Sequence, residues 1–156
     1  MTIYKSNFVS FEPIDNSFRG YLSIEATLRE EKEPELLLNK AEKIYETKIK
    51  NMRSLIAAIN TAKANHKPIS ARKIWTIGNS IISLKNELSI IGLELDGIYD
   101  HLVRDLSVKK KWLEKLVILR RYLPNKSLIP ELLNWGRIEK GTRRKAIKLK
   151  SGLPID

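Results

Sequence analysis

The chain has 156 residues, no cysteine, and 29 Lys or Arg against 18 Asp or Glu, a formal net charge of +11. Disulfides, thiol nucleophiles and Cys-based zinc sites are therefore excluded. Apolar residues make up 42%, too many for a wholly disordered chain, in runs too short for a membrane span.

The N-terminus MTIYKSNFVSF lacks the basic-then-apolar layout of a secretory signal, so a cytoplasmic setting, nucleoid included, is expected. Residues 1–33 are the least regular part: all three phenylalanines (Phe8, Phe11, Phe18) lie here, and Pro13 and Gly20 interrupt any long element. Leu22, Ile24, Ala26 and Leu28 alternate with Ser23, Glu25, Thr27 and Arg29, which is a strand period, although the same residues fit a short helix. The segment reads as an irregular arm that docks on its own domain or on a partner.

Pro34 suits a first helical position, and a long amphipathic helix is predicted from there to about residue 64. Leu38, Ala41, Tyr45, Lys48, Met52, Leu55, Ile59 and Ala62 form a heptad seam with one charged interruption. Such a seam can pair with a second copy or another protein, but packing on its own chain is the commoner outcome. Asn65, His66, Lys67 and Pro68 end the helix. Ser70 is an N-cap for the next, flanked by Ile69 and Ile74 as a staple, and that helix carries Ile74, Trp75, Ile77, Ile81, Ile82, Leu84 and Leu88 towards Gly92.

Asp96 reads as an N-cap, and residues 97–123 as two helices joined at Ser107, a helix-turn-helix-like unit. Ser107 is placed to cap the second helix, in which Val108, Trp112, Leu116, Leu119 and Leu123 form one apolar stripe. Lys110 and Arg121 point away from that stripe, Lys109 and Arg120 flank one side, and Lys111 and Lys115 flank the other. Pro124, Pro130, Gly136 and Gly141 punctuate the chain beyond this helix. The tail offers either a weakly amphipathic helix on Ile138, Ala146, Ile147 and Leu149 or a basic arm that folds on its ligand. Trp135 reads as a packing anchor in preference to a base-stacking platform. No strand pattern stands out after residue 33. The expected class is all-α: a helical bundle with a long N-terminal helix, the helix-turn-helix-like unit and a basic C-terminal tail, divided as 1–33, 34–135 and 136–156.

Charge is distributed unevenly along this scheme. Residues 104–150 hold 15 Lys or Arg against 4 Asp or Glu, while residues 1–103 hold 14 against 13. Concentrated positive charge suits a polyanion, because each neutralised phosphate releases condensed counterions. The candidate phosphate-binding residues are Lys109, Lys110, Lys111, Lys115, Arg120 and Arg121 on the helix, and Arg137, Lys140, Arg143, Arg144, Lys145 and Lys148 in the tail. Arginine's planar fork in 142–145 favours phosphate gripping. Two isolated histidines, His66 and His101, make neither a metal site nor a general-base constellation, and no phosphate-cradling glycine loop is present. No cofactor, metal or catalytic activity is expected.

Trp75, Thr76, Ile77 and Gly78, then Gly97, Ile98 and Tyr99 with Leu102, Asp105 and Leu106, then Leu113 through Tyr122, Leu123 and Pro124, and finally Leu133, Asn134 and Trp135 carry a resemblance. Residues 70–140 resemble the N-terminal helical domain of YhcG-type PD-(D/E)XK nuclease proteins, which is helix-turn-helix-like and DNA-associated. The resemblance implies helical packing around Trp75, Leu102, Leu106, Leu113 and Trp135. Its motifs are short, Asp96 stands where the family has an aromatic residue, and none of the nuclease domain is matched, so nuclease activity does not carry over. The leading expectation is a non-catalytic nucleic-acid-binding protein, with DNA favoured over RNA and no membrane partner. The alternative is a helical adaptor subunit of a nucleoprotein complex, binding a protein or a second copy through residues 34–64 and the N-terminal arm.

Overall fold

A computed structural model describes residues 8–10, 18–25, 34–95 and 97–155. Among the described residues five α-helices dominate: α1 (Pro34–Ala64), α2 (Ala71–Ile90), α3 (Tyr99–Leu106), α4 (Lys110–Tyr122) and α5 (Thr142–Lys150). The fold is predominantly all-α. The readings made on Phe11, Pro13, Ala26, Thr27, Leu28, Arg29 and Asp96 lie outside the described residues.

The chain divides into two compact units that cut across the long helices: Met1–Lys50 with Ser83–Ser107, and Asn51–Ile82 with Val108–Asp156. Residues 34–50 of α1 therefore belong to the first unit and 51–64 to the second. The pair of helices expected as a helix-turn-helix is divided too, α3 falling in the first unit and α4 in the second.

The first unit holds a small antiparallel sheet of order β1-β2-β3, formed by Phe8–Ser10, Leu22–Glu25 and Leu93–Leu95. Leu22 pairs with Leu95 and Ile24 with Leu93, and all four side chains are buried on one face. The strand reading of Leu22 and Ile24 holds. The strand after residue 33 corrects the sequence expectation: at three residues, β3 is too short to display a period of two. Next to it, Phe18 stacks on Tyr45 of α1 with ring centroids 4.1 Å apart. The Arg19 guanidinium pairs with Glu42 and with Glu35 (3.1 Å), and donates to Asn39 at 3.3 Å. These contacts dock the segment around Phe18 onto α1 of the same chain.

Along α1 the buried stripe is Leu38, Ala41, Tyr45, Ile49, Met52, Ile56 and Ile59. Ile49 and Ile56 thus replace Lys48 and Leu55 of the expected seam. The buried isoleucine lies four positions on from Tyr45 and from Met52, so the stripe follows the four-residue step of a core-facing helix. Lys48, half-buried beside the stripe, pairs with Glu87 of α2 at 2.7 Å and donates to Ser83 at 3.2 Å. The seam is consumed within the chain.

In the second unit, Ala71, Ile74, Trp75, Ile77 and Ile81 of α2 face Leu113, Leu116, Val117, Leu119 and Leu123 of α4 in one apolar core. The two helices meet closely at Gly78, where a Cβ would stand 2.2 Å from the Leu116 carbonyl oxygen. Only a glycine admits that approach. Behind it, the loop after α4 is sewn to the start of α2. The Trp135 amide donates to Ile69 (2.8 Å), the Ala71 amide to Leu133 (3.0 Å), and Arg72 Nε to the Ile129 carbonyl (2.7 Å). Ser70 holds its expected place, its carbonyl accepting the Ile74 amide at 3.3 Å.

Candidate nucleic-acid interface

Every one of the twelve candidate phosphate-binding residues lies in the second unit. That unit carries 19 Lys or Arg against 4 Asp or Glu, net +15, while the first unit carries 10 against 14, net −4. The division sharpens the asymmetry, because residues 51–82 contain five Lys or Arg and no acidic residue. Arg53, Lys63, Lys67 and Lys73 are exposed in this stretch and were not among the sequence candidates. Their signal was there to read: averaging over residues 1–103 cancelled them against acidic residues of the other unit.

The α4 end of the surface begins differently from expectation. Ser107 adopts a left-handed conformation (φ 53°, ψ 49°) and closes α3, its amide donating to the Val103 carbonyl; it does not cap α4. Lys109 occupies the N-cap position of α4 in an extended conformation with no side-chain cap, and the first turn holds no acidic residue. The helix starts two residues later than the stripe reading required. Its buried face is accordingly Leu113, Leu116, Val117, Leu119 and Leu123, with Val108 and Trp112 only half-buried. Lys109, Lys110, Lys111 and Arg121 are exposed, and Lys115 is half-exposed.

Arg120 stands apart from its neighbours. Its side chain is half-buried, Nε donates to Asn79 Oδ1 at 2.8 Å, and the guanidinium lies 5.6 Å from the Trp75 ring centroid. It braces α4 against α2. The Trp75 indole N–H in turn donates to the Leu123 carbonyl at 2.6 Å.

The tail is an ordered part of the unit. Residues 135–137 form a 3₁₀ turn, and α5 packs against α4. Gly141, at φ 72°, sets the entry to α5, and the buried Thr142 hydroxyl lies 2.8 Å from the Glu139 carbonyl. Ala146, Ile138 and Trp135 are buried, so Trp135 is a packing anchor. Of the two readings of this stretch the helix is the one observed, but not with the expected apolar face: Ile138 lies before α5, Ile147 is exposed, and of the four residues only Ala146 is buried on the helix itself. Arg143 places its guanidinium 4.9 Å from the Tyr122 ring centroid, joining the start of α5 to the end of α4. Lys145 donates to the Arg137 carbonyl at 2.6 Å. Arg137, Lys140, Arg143 and Arg144 are exposed, while Lys145 and Lys148 are half-exposed.

Among the described residues, no group of three or more His, Asp or Glu is placed to hold a metal ion, and no helix is long and apolar enough to cross a membrane. Comparison with protein-family models, curated proteins and solved structures finds no match to this chain.

Proposed function

We propose that the second unit binds nucleic acid, DNA in preference to RNA, by gripping phosphates with the cations of α4, α5 and the turn between them, and that the protein is not a catalyst. The observation that carries this reading is the imbalance within one compact unit: 19 cations, most of the candidate ones exposed, beside only Glu114, Glu131, Glu139 and Asp156. Four carboxylates cannot neutralise that field, and a polyanion can. The lysines at the start of α4 add to the argument. Cations at a helix N-terminus oppose the macrodipole by a few tenths of a kcal/mol each or more, and an arriving phosphate relieves that cost. The resemblance of residues 70–140 to a DNA-associated helical domain points the same way, and a cytoplasmic, nucleoid-associated setting belongs to this reading. Adaptor binding through residues 34–64 has less behind it, because the apolar stripe of α1 is already buried within the chain.

The test is fluorescence anisotropy with a labelled DNA at several salt concentrations. If about six phosphates are contacted, affinity falls by roughly 10³ between 50 and 200 mM salt. Replacing Lys109, Lys110 and Lys111 with Glu, alone and together with Arg143→Glu and Arg144→Glu, divides the loss between α4 and α5. Affinity indifferent to salt and to both sets of changes would end the proposal.

A further inference from the structure

Resting on that reading, we infer that the second unit is a binder of the double-stranded DNA backbone and does not hold single strands by base stacking. Proteins that bind single strands combine a basic groove with aromatic faces on which successive bases stack. The second unit has four aromatic side chains of this kind, Trp75, Trp112, Tyr122 and Trp135, and its own structure uses three of them. Trp75 is buried, its N–H is spent on Leu123, and one face is covered by Arg120. Trp135 is 3% exposed. The Tyr122 ring carries the guanidinium of Arg143. Trp112 remains, half-buried beside the α4 lysines, and one partly covered ring does not make a stacking path.

The same contacts leave the cations presented. A guanidinium lying on an aromatic face keeps its N–H edge for a phosphate fork, so Tyr122 orients Arg143 and is not itself a base platform. A surface that holds phosphates without stacking follows the charge density of its ligand. Duplex DNA offers one charge per about 1.7 Å of axis, and releases about 0.9 counterions per phosphate against about 0.7 for a single strand.

The experiment compares a 30-base-pair duplex with each of its two separated strands, at about 150 mM salt, using the full chain and its Trp112→Leu variant, with circular dichroism as the check on folding. The expected result is duplex binding at least about fivefold tighter than either strand, with Trp112→Leu changing duplex affinity by less than about twofold. A smaller ratio in the wild-type protein, or preference for a strand, overturns the inference while leaving the nucleic-acid reading in place. So does a variant that loses strand binding and keeps duplex binding, since that assigns Trp112 a stacking role. Binding of neither ligand overturns the nucleic-acid reading itself and this inference with it.

Discussion

The two units have opposite charge, and they handle charge in different ways. In the first, net −4, Arg19 is matched to Glu35 and Glu42 and Lys48 to Glu87, while Lys85 lies over the Tyr99 ring at 5.7 Å. In the second, net +15, Arg72 pairs loosely with the exposed Glu131 at 3.6 Å, and the other contacts described for the basic groups go to an amide, carbonyls and ring faces: Arg120 to Asn79 and Trp75, Arg72 and Lys145 to backbone carbonyls, Arg143 to Tyr122. Such contacts fix a cation in place without neutralising it. The lesson is that a basic surface can be braced from beneath and still keep most of its charge unpaired with carboxylates.

The sharpest way to break this comparison is to make the same charge change in each unit. Reversing Lys109, Lys110 and Lys111 to Glu is expected to cut DNA affinity by roughly 10² at moderate salt. Reversing three exposed lysines of the first unit, Lys40, Lys43 and Lys85, is expected to change it by less than about threefold. Equal losses in anisotropy titrations would mean that net charge, and not the second unit, drives binding.

Gly78→Ala probes the frame beneath the basic surface. Its Cβ would collide with the Leu116 backbone, an overpacking that costs about 2–3 kcal/mol. At about 2–4 °C per kcal/mol for a chain of this size, a melting point lower by roughly 5–10 °C is expected in calorimetry. An unchanged melting point would contradict the close approach of α2 and α4.

The first unit's pairing is tested with acid. The Lys48 ammonium holds the Glu87 carboxyl below its usual range, with Ser83 adding a hydrogen bond. A carboxyl lowered by folding stabilises the fold above its unfolded pKa, and that gain is lost as pH falls through the lowered folded value. Because Glu87 is partly exposed, at 42%, the effect is under about 1 kcal/mol. Glu87→Gln should therefore melt slightly below wild type at pH 7, with the gap closing near pH 3. A gap that persists in acid would point to packing instead of charge.

The smallest effect separates two roles for one residue. If Ser107 only terminates α3 in its left-handed conformation, Ser107→Gly is neutral or stabilising by about 0.5 kcal/mol. A side-chain cap on α4 would instead make Ser107→Gly destabilising by a few tenths of a kcal/mol, a difference that paired thermal melts resolve.

Much of this is legible along the chain. Helical periodicity places α1 and α2, with Pro34 and Ser70 at their starts, and a lone Trp135 among turn residues reads as an anchor. The candidate cations are visible as a charge run in residues 104–150. Whatever depends on residues distant in sequence escapes such a reading. Strand β3 exists because β2 pairs with it. Arg120 sits inward because Asn79 and Trp75 receive it. The buried column of α1 passes through Ile49 and Ile56 because of what packs there.

By itself the sequence determined most of the helices and the total charge, since helix period and ionisable groups are properties of neighbouring residues. The tertiary structure alone decided which half of each long helix joins which unit. It thereby separated the lysines and arginines of residues 51–82 from the acidic residues of 1–50 and 83–107, and turned a moderately basic chain into an acidic unit and a strongly basic one. The physical reason is that charge adds over groups close in space, and packing, not chain order, sets which groups those are.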